Sequence, residues 1–336
     1  VTDTKDLTIP RNIVPPELSE GELLPVVIAR AGRASRNAWD DFFGTIQNRH
    51  TRIAYEYAVR RFMAWLPQDL APEQIRPAMV GRYFSEHTGS IPTQKLHLAA
   101  IRAFFDLLVE RHIALINPAA SVRAPRYVAV EGKTPEIGVE SARKLLGSIV
   151  VEKPDAYGNS SPLPVGLRDR AIIATLIYTA ARAGAVARLR IKDFRYDGTQ
   201  WALLFAEKGG KFREIPVRHD LQCFLLAYLS QIPNWQTRSS EPLFRTAIGK
   251  TNSLTELQMT NVDICRMLKR RFRDVGLPMH LSCHSFRVTT ITDLLSQGVP
   301  LEDVQYLAGH VDPRTTRLYD RRQRHVSRNI VERISI

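Results

Sequence analysis

The run 166–179 leaves this chain the least freedom. Ala171, Ile172, Ile173, Ala174, Leu176 and Ile177 spread apolar side chains around a helix instead of along one stripe, so other elements must wrap it. It is too short to cross a bilayer, and no other apolar run reaches that length, so the wrapping has to come from a protein core. The run leads straight into Ala180-Ala181-Arg182-Ala183-Gly184-Ala185. An arginine placed among small residues after a buried helix is held in position, either by carbonyl contacts or by a functional partner.

The elements expected to do the wrapping follow in order. Helical periodicity marks 139–149, 220–231 and 258–275, and two β-type runs, 201–206 and 213–217, flank Glu207-Lys208-Gly209-Gly210-Lys211. Gly-Gly between two such runs is a hairpin signal. The chain before position 121 has a different character. A helix is expected over 52–65, with Thr51 as N-cap and Ala54, Tyr55, Ala58, Val59, Phe62 and Trp65 at helical spacing; Pro67 ends it. A second covers 77–87. A third opens at Pro92-Thr93, carries Leu98, Ile101, Phe104, Phe105 and Leu108, and stops before Asn117-Pro118. Residues 1–34 read as an extended arm, with helical patterning from about position 24 that firms up over 37–47. Between 122 and 136 periodicity lapses, and Arg123, Pro125, Arg126, Gly132, Lys133 and Pro135 suggest an exposed basic linker. The expected layout is an arm (1–34), a helical domain (35–121), a linker (122–136) and a second domain (137–336).

At 336 residues the chain is long enough for two cores. Its 47 Lys and Arg against 34 Asp and Glu leave a net charge of +13, which favours a polyanionic partner, most simply nucleic acid. Arg52, Arg60, Lys95 and Arg102 in the helical domain, with Lys211, Arg213, Arg314 and Arg317 further on, are the candidate DNA-contacting cations. The three cysteines, Cys223, Cys265 and Cys283, show no C-x-x-C pair and no zinc spacing, and Cys283 is expected to be a packed, inert thiol. Isolated cysteines and the lack of a visible signal peptide fit the cytoplasm. There is no P-loop and no dinucleotide-binding glycine fingerprint, so chemistry on DNA would have to run without ATP.

The chemistry concentrates in 284–319. His284 and Arg287 are one helical turn apart, Gly309-His310 closes the next helical run, and Tyr319 follows a basic turn at Asp312-Pro313-Arg314. Beyond it, Val326, Ile330, Val331 and Ile334 form an apolar stripe. Arg182, Lys208, His-x-x-Arg, Gly-His and Tyr, taken in that order, resemble the active site of the tyrosine recombinase (phage integrase) family.

That resemblance implies a mainly α fold with a small β-sheet: a helical, SAM-like core-binding domain followed by a mixed α/β catalytic domain, closing around DNA like a clamp. It implies that Arg182 and Arg287 clamp a phosphate, that Lys208 is the hairpin lysine, that His284 and His310 are the two site histidines, and that Tyr319 is the nucleophile. No metal and no cofactor are implied. Two guanidiniums can stabilise the charge that builds on the non-bridging oxygens, and a phosphotyrosyl link conserves the bond energy. The partners implied are duplex DNA with an inverted-repeat site and three further copies of the chain. The stripe over 326–334 either docks on a neighbour or packs on its own domain. Lys211 shares the hairpin with Lys208, and Ala185 stands where the family commonly carries an acidic residue. A non-catalytic DNA binder and a type IB topoisomerase-like relaxer are the competing functions.

Overall fold

The structure is a computed structural model that describes residues 24–126, 132, 134–154, 159–206, 212–249 and 251–319. The chain forms two compact units, Val1–Val128 and Ala129–Ile336.

The first unit is helical. Its frame is α3 (Arg49–Trp65) packed against α5 (Ile91–Glu110), with α1 (Val26–Arg30), α2 (Gly32–Thr45) and α4 (Pro77–Ser85) around them. Phe62, Met63, Phe104 and Phe105 are fully buried, and Trp39 stacks edge-on to Phe104 at 5.6 Å. Two boundaries differ from expectation. Asn48, not Thr51, caps α3: its side chain accepts from the backbone N–H groups of His50 (3.0 Å) and Thr51 (3.2 Å). The folded unit also starts well before position 35, because Val27 and Ile28 on α1 are buried in its core. The helical patterning that begins near position 24 therefore belongs to this unit and not to an arm. At the other end, Arg102 on α5 donates to the carbonyls of Ala119 and Val122 and so fastens the segment that leaves the bundle.

The second unit is built around α7 (Pro164–Thr179). Ile172, Ile173, Ala174 and Leu176 are fully buried. The wrapping comes from α6 (Val139–Ser148), α9 (His219–Leu229), α10 (Asn261–Asp274) and α11 (Cys283–Ser296). Three small antiparallel pieces of sheet accompany them: β1 (Glu152–Pro154) with β2 (Ser160–Pro162); β3 (Phe194–Tyr196), β4 (Trp201–Ala206) and β5 (Phe212–Pro216); and β6 (Arg245–Ala247) with β7 (Leu254–Gln258). The β4–β5 register runs from Ala202 opposite Pro216 to Ala206 opposite Phe212. Gln258, expected to begin a helix, instead ends β7. The helix begins only at Asn261, where a capping box sets its start: Thr260 accepts from the Asp263 N–H (3.2 Å) and the Asp263 carboxylate accepts from the Thr260 N–H (2.9 Å).

An ionic rivet joins α10 to α7. Asp169 is fully buried and accepts from Arg168 (2.7 Å), Arg270 (2.6 Å) and Arg271 (2.8 Å). One carboxylate among three guanidiniums is well compensated, whereas removing it would leave Arg168 buried without its counter-charge. Beyond α11 come α12 (Leu301–Ala308) and α13 (Pro313–Arg317). Gly309 closes α12 in the left-handed region (φ 63°), which a residue with a Cβ adopts at a cost, and the chain then doubles back to deliver Tyr319. Among the described residues no helix is long and apolar enough to cross a membrane.

Candidate active site

Four elements converge in the second unit. The C-terminus of α7 leads through Ala180 to Arg182, the N-cap of α8 (Ala183–Ala187). The first turn and a half of α11 supplies His284 and Arg287. The α12 terminus supplies His310, and the residue two past α13 is Tyr319.

Arg287 is the anchor. Its side chain is 1 % exposed, and its two terminal nitrogens donate to the carbonyls of Ala180 and Ala308. Those carbonyls lie at the ends of α7 and α12, where no helical partner remains for them, so one guanidinium ties three helices together and satisfies both acceptors. Ala180 reaches its place with φ 48°, a left-handed conformation in a residue other than glycine.

Tyr319 is buried, with its hydroxyl 2.8 Å from Nε2 of His284. Its ring stacks on that of His310, with centroids 5.7 Å apart and planes 7° from parallel. Nδ1 of His310 is 2.9 Å from Oγ1 of Thr316, which is fully buried, and the Thr316 carbonyl accepts the Tyr319 N–H at 3.0 Å. Thr316 thus holds both the histidine ring and the backbone that presents the tyrosine. Sequence reading passed over it. The available signal was its position one helical turn before Tyr319, on the same face.

The electrostatics are uniform in sign. Burial lowers His284, and the charges of Arg287 and Arg182 lower it further, so the ring is neutral near neutral pH. His310 is pushed down to about 3 by burial, then by Arg287 and Arg182. Burial raises the Tyr319 phenol, while the same two arginines pull it back down. The charge of Arg182, a residue exposed at the surface, acts on the same three side chains as that of Arg287. A phenol hydrogen-bonded to an imidazole in a doubly cationic field has a proton acceptor at hand, so its oxygen can act as a nucleophile towards an anionic centre.

Residues 154–325 match the phage integrase family, a stretch that includes Arg182, His284, Arg287, His310 and Tyr319. The chain belongs to that family, the tyrosine recombinases. Among its relatives is the tyrosine recombinase XerC of Pelobacter propionicus, 26 % identical over 277 residues that cover 80 % of this chain and 84 % of the relative. XerC of Alcanivorax borkumensis is 30 % identical over 224 residues, 66 % of each chain. In fold, the chain is similar to XerH bound to a palindromic difH substrate (TM-score 0.60, 20 % identity, 80 % of this chain and 75 % of that one). It is likewise similar to a lambda integrase dimer bound to a core site (TM-score 0.61, 16 % identity, 87 % and 96 %). The mainly α recombinase fold with small sheets is the one observed.

The remaining expected site residues divide into three groups. Lys208 and Lys211 lie outside the described residues, as does the 326–334 stripe. Arg60, Arg102 and Arg213 are committed to the fold. Arg60 pairs with Glu56 at 2.8 Å and lies over the Trp39 ring, Arg102 holds Ala119 and Val122, and buried Arg213 donates to the Leu307 carbonyl and lies over Phe205. Arg52, Lys95, Arg314 and Arg317 are exposed. Ala185, at the position where an acid is common, is buried on α8, so that position adds no carboxylate to the hydrogen bonding of the site. Cys283 is packed, as expected, and its sulfur lies 3.1 Å from that of Cys265, a neighbour that the sequence spacing does not show.

Proposed function

We propose that this tyrosine recombinase cuts and rejoins duplex DNA at a specific inverted-repeat site through a covalent 3′-phosphotyrosyl link on Tyr319. One observation carries the reading: the Tyr319 hydroxyl lies 2.8 Å from a neutral imidazole nitrogen of His284, in the field of Arg182 and Arg287.

The scissile phosphate binds between the two guanidiniums, which take its non-bridging oxygens. Burial holds His284 down and the two arginines add to it; the arriving phosphate offsets the arginines' share, so the imidazole becomes a stronger base once DNA is in place. His284 accepts the phenol proton at Nε2 as the Tyr319 oxygen bonds to phosphorus and the bond from phosphorus to the 5′ oxygen breaks. His310 is neutral, and with Thr316 occupying Nδ1 its other nitrogen is left to donate to a phosphate oxygen. Lys208 protonates the departing 5′ oxygen. A 5′-hydroxyl from a second duplex then attacks the phosphotyrosyl bond and frees the enzyme, with no net consumption of bond energy. Exchange between two duplexes cuts four strands, which supports a tetramer, with the Val326, Ile330, Val331 and Ile334 stripe as its coupling contact.

The test is a nicked suicide substrate carrying a site selected from a random pool. Wild-type protein gives a protein–DNA adduct that survives denaturant and is lost on protease treatment, and Tyr319→Phe gives none. An adduct of equal yield in both moves the nucleophile elsewhere. Tight binding to the selected site with no adduct in either favours a non-catalytic binder.

A further inference from the structure

Two of the three cysteines meet beside the catalytic helix. Cys265 lies on α10, Cys283 is the first residue of α11, and their sulfurs are 3.1 Å apart, closer than two unbonded sulfurs normally rest. A disulfide needs about 2.05 Å, so a contraction of about 1 Å would join them. From these positions we infer that Cys265 and Cys283 form a reversible, peroxide-responsive disulfide that switches the recombinase off. The switching half of this inference rests on the function proposed above; the bond itself does not.

The surroundings favour bond formation in a definite order. Cys265 is partly exposed, whereas Cys283 is 9 % exposed, so oxidant reaches Cys265 first. The Cys265 thiol is lowered to about 7 by its hydrogen bond with Cys283, with help from Lys269 one turn further along α10, while Cys283 is pushed up by the same bond and by burial. Lys269 also donates to the carbonyls of Met279 and Leu281, stapling the loop that joins α10 to α11 and holding the two sulfurs in register. The Cys265 thiolate attacks one oxygen of hydrogen peroxide; the O–O bond breaks, hydroxide leaves, and Cys265 becomes a sulfenic acid. The Cys283 sulfur then displaces that hydroxyl, and its proton leaves in the water released. Two thiols and one peroxide give one disulfide and two waters. An external thiol reverses the bond by exchange. Disulfides in reducing compartments are characteristically transient devices of this kind.

The consequence follows from what Cys283 adjoins. His284 is the next residue and Arg287 is one turn on, so drawing the first residue of α11 towards α10 pulls on the Nε2 that must meet the Tyr319 hydroxyl. A displacement of about 1 Å at a reacting group costs on the order of a hundredfold in rate.

The experiment treats reduced full-length protein with hydrogen peroxide, maps its peptides without reduction, and measures adduct formation on the suicide substrate. Wild type is expected to yield a linked Cys265–Cys283 peptide and to lose about a hundredfold in adduct rate, both reversed by dithiothreitol. Cys265→Ser should cleave like wild type before and after peroxide, and Cys223→Ser should remain sensitive. A map with both thiols unlinked overturns the inference, as does equal loss of activity in wild type and Cys265→Ser. Linked protein that cleaves as fast as reduced protein overturns the switching half. Reduced protein that forms no adduct at all refutes the proposed function instead, and the peptide map still decides the bond.

Discussion

Replacing Thr316 by valine would remove one hydroxyl and change almost nothing else in volume. Thr316 is fully buried, and its hydroxyl is the 2.9 Å partner of Nδ1 on His310, itself 7 % exposed. Valine leaves that nitrogen without its partner in a site closed to bulk water, a loss of about 1–3 kcal/mol. His310 would then divide between two tautomers and a wider range of ring angles, while its stack on Tyr319 loosens. If the whole cost falls on the transition state, the rate of adduct formation drops by about 5- to 150-fold. The assay is single-turnover cleavage of the nicked substrate at saturating protein, with site affinity and thermal midpoint measured on the same samples. Thr316→Ser keeps the hydroxyl and should recover most of the rate. The reasoning fails if Thr316→Val cleaves at the wild-type rate, or if Thr316→Ser falls as far as valine does. A merely structural threonine would lower the thermal midpoint and leave the folded fraction cleaving normally.

Four other outcomes follow from the same structure. His97 on α5 is buried, pairs with His87 at 3.0 Å, and is lowered to about 4 by burial, then by His87 and Arg61. The unfolded chain therefore binds protons that the folded unit refuses, and stability present above the ordinary histidine range is lost as pH falls towards 4. The loss is about 2 kcal/mol between about pH 7 and about pH 5, readable by urea unfolding and diminished in His97→Gln. Because burial, and then the charges of Arg287 and Arg182, hold His284 low in the free protein, the acid limb of second-order adduct formation should lie below the ordinary histidine value. The limb at saturating DNA should lie higher, since bound phosphate offsets those charges; coincident limbs would argue against His284 as the base. Arg314→Ala and Arg317→Ala should each reduce the salt dependence of DNA binding by about one unit of slope. Arg60→Ala, which breaks the pairing with Glu56 and Trp39, should lower the thermal midpoint more than the affinity.

What the sequence shows and what it hides divide along physical lines. Periodicity is a local property, so α7, α11 and the β4–β5 strands can be read from their own residues. The family order of Arg, His-x-x-Arg, Gly-His and Tyr points to the candidate site without any structure. Choices among competing local signals are harder. Asn48 and Thr51 can both cap a helix, and only the packing of α3 selects the earlier one. The short run ending at Gln258 becomes a strand because β6 lies beside it to complete its hydrogen bonds. Contacts between distant residues leave no local mark at all. Nothing in the spacing of Cys265 and Cys283 shows that their sulfurs touch, since the intervening turn and the Lys269 staple bring them together. The same holds for Arg102 and Arg213, whose carbonyl partners lie far along the chain. A basic residue looks the same in sequence whether it faces a phosphate or a carbonyl of its own chain.

The central claim is that Tyr319 becomes covalently joined to a DNA 3′-phosphate. The most direct measurement traps the adduct on the suicide substrate, digests it with protease and nuclease, and fragments the surviving nucleotidyl-peptide in a mass spectrometer. The account predicts the nucleotide on the tyrosine of the peptide spanning 318–320, linked through a 3′-phosphate. A nucleotide carried by any other residue, Tyr306 included, or linked through a 5′-phosphate, would contradict it.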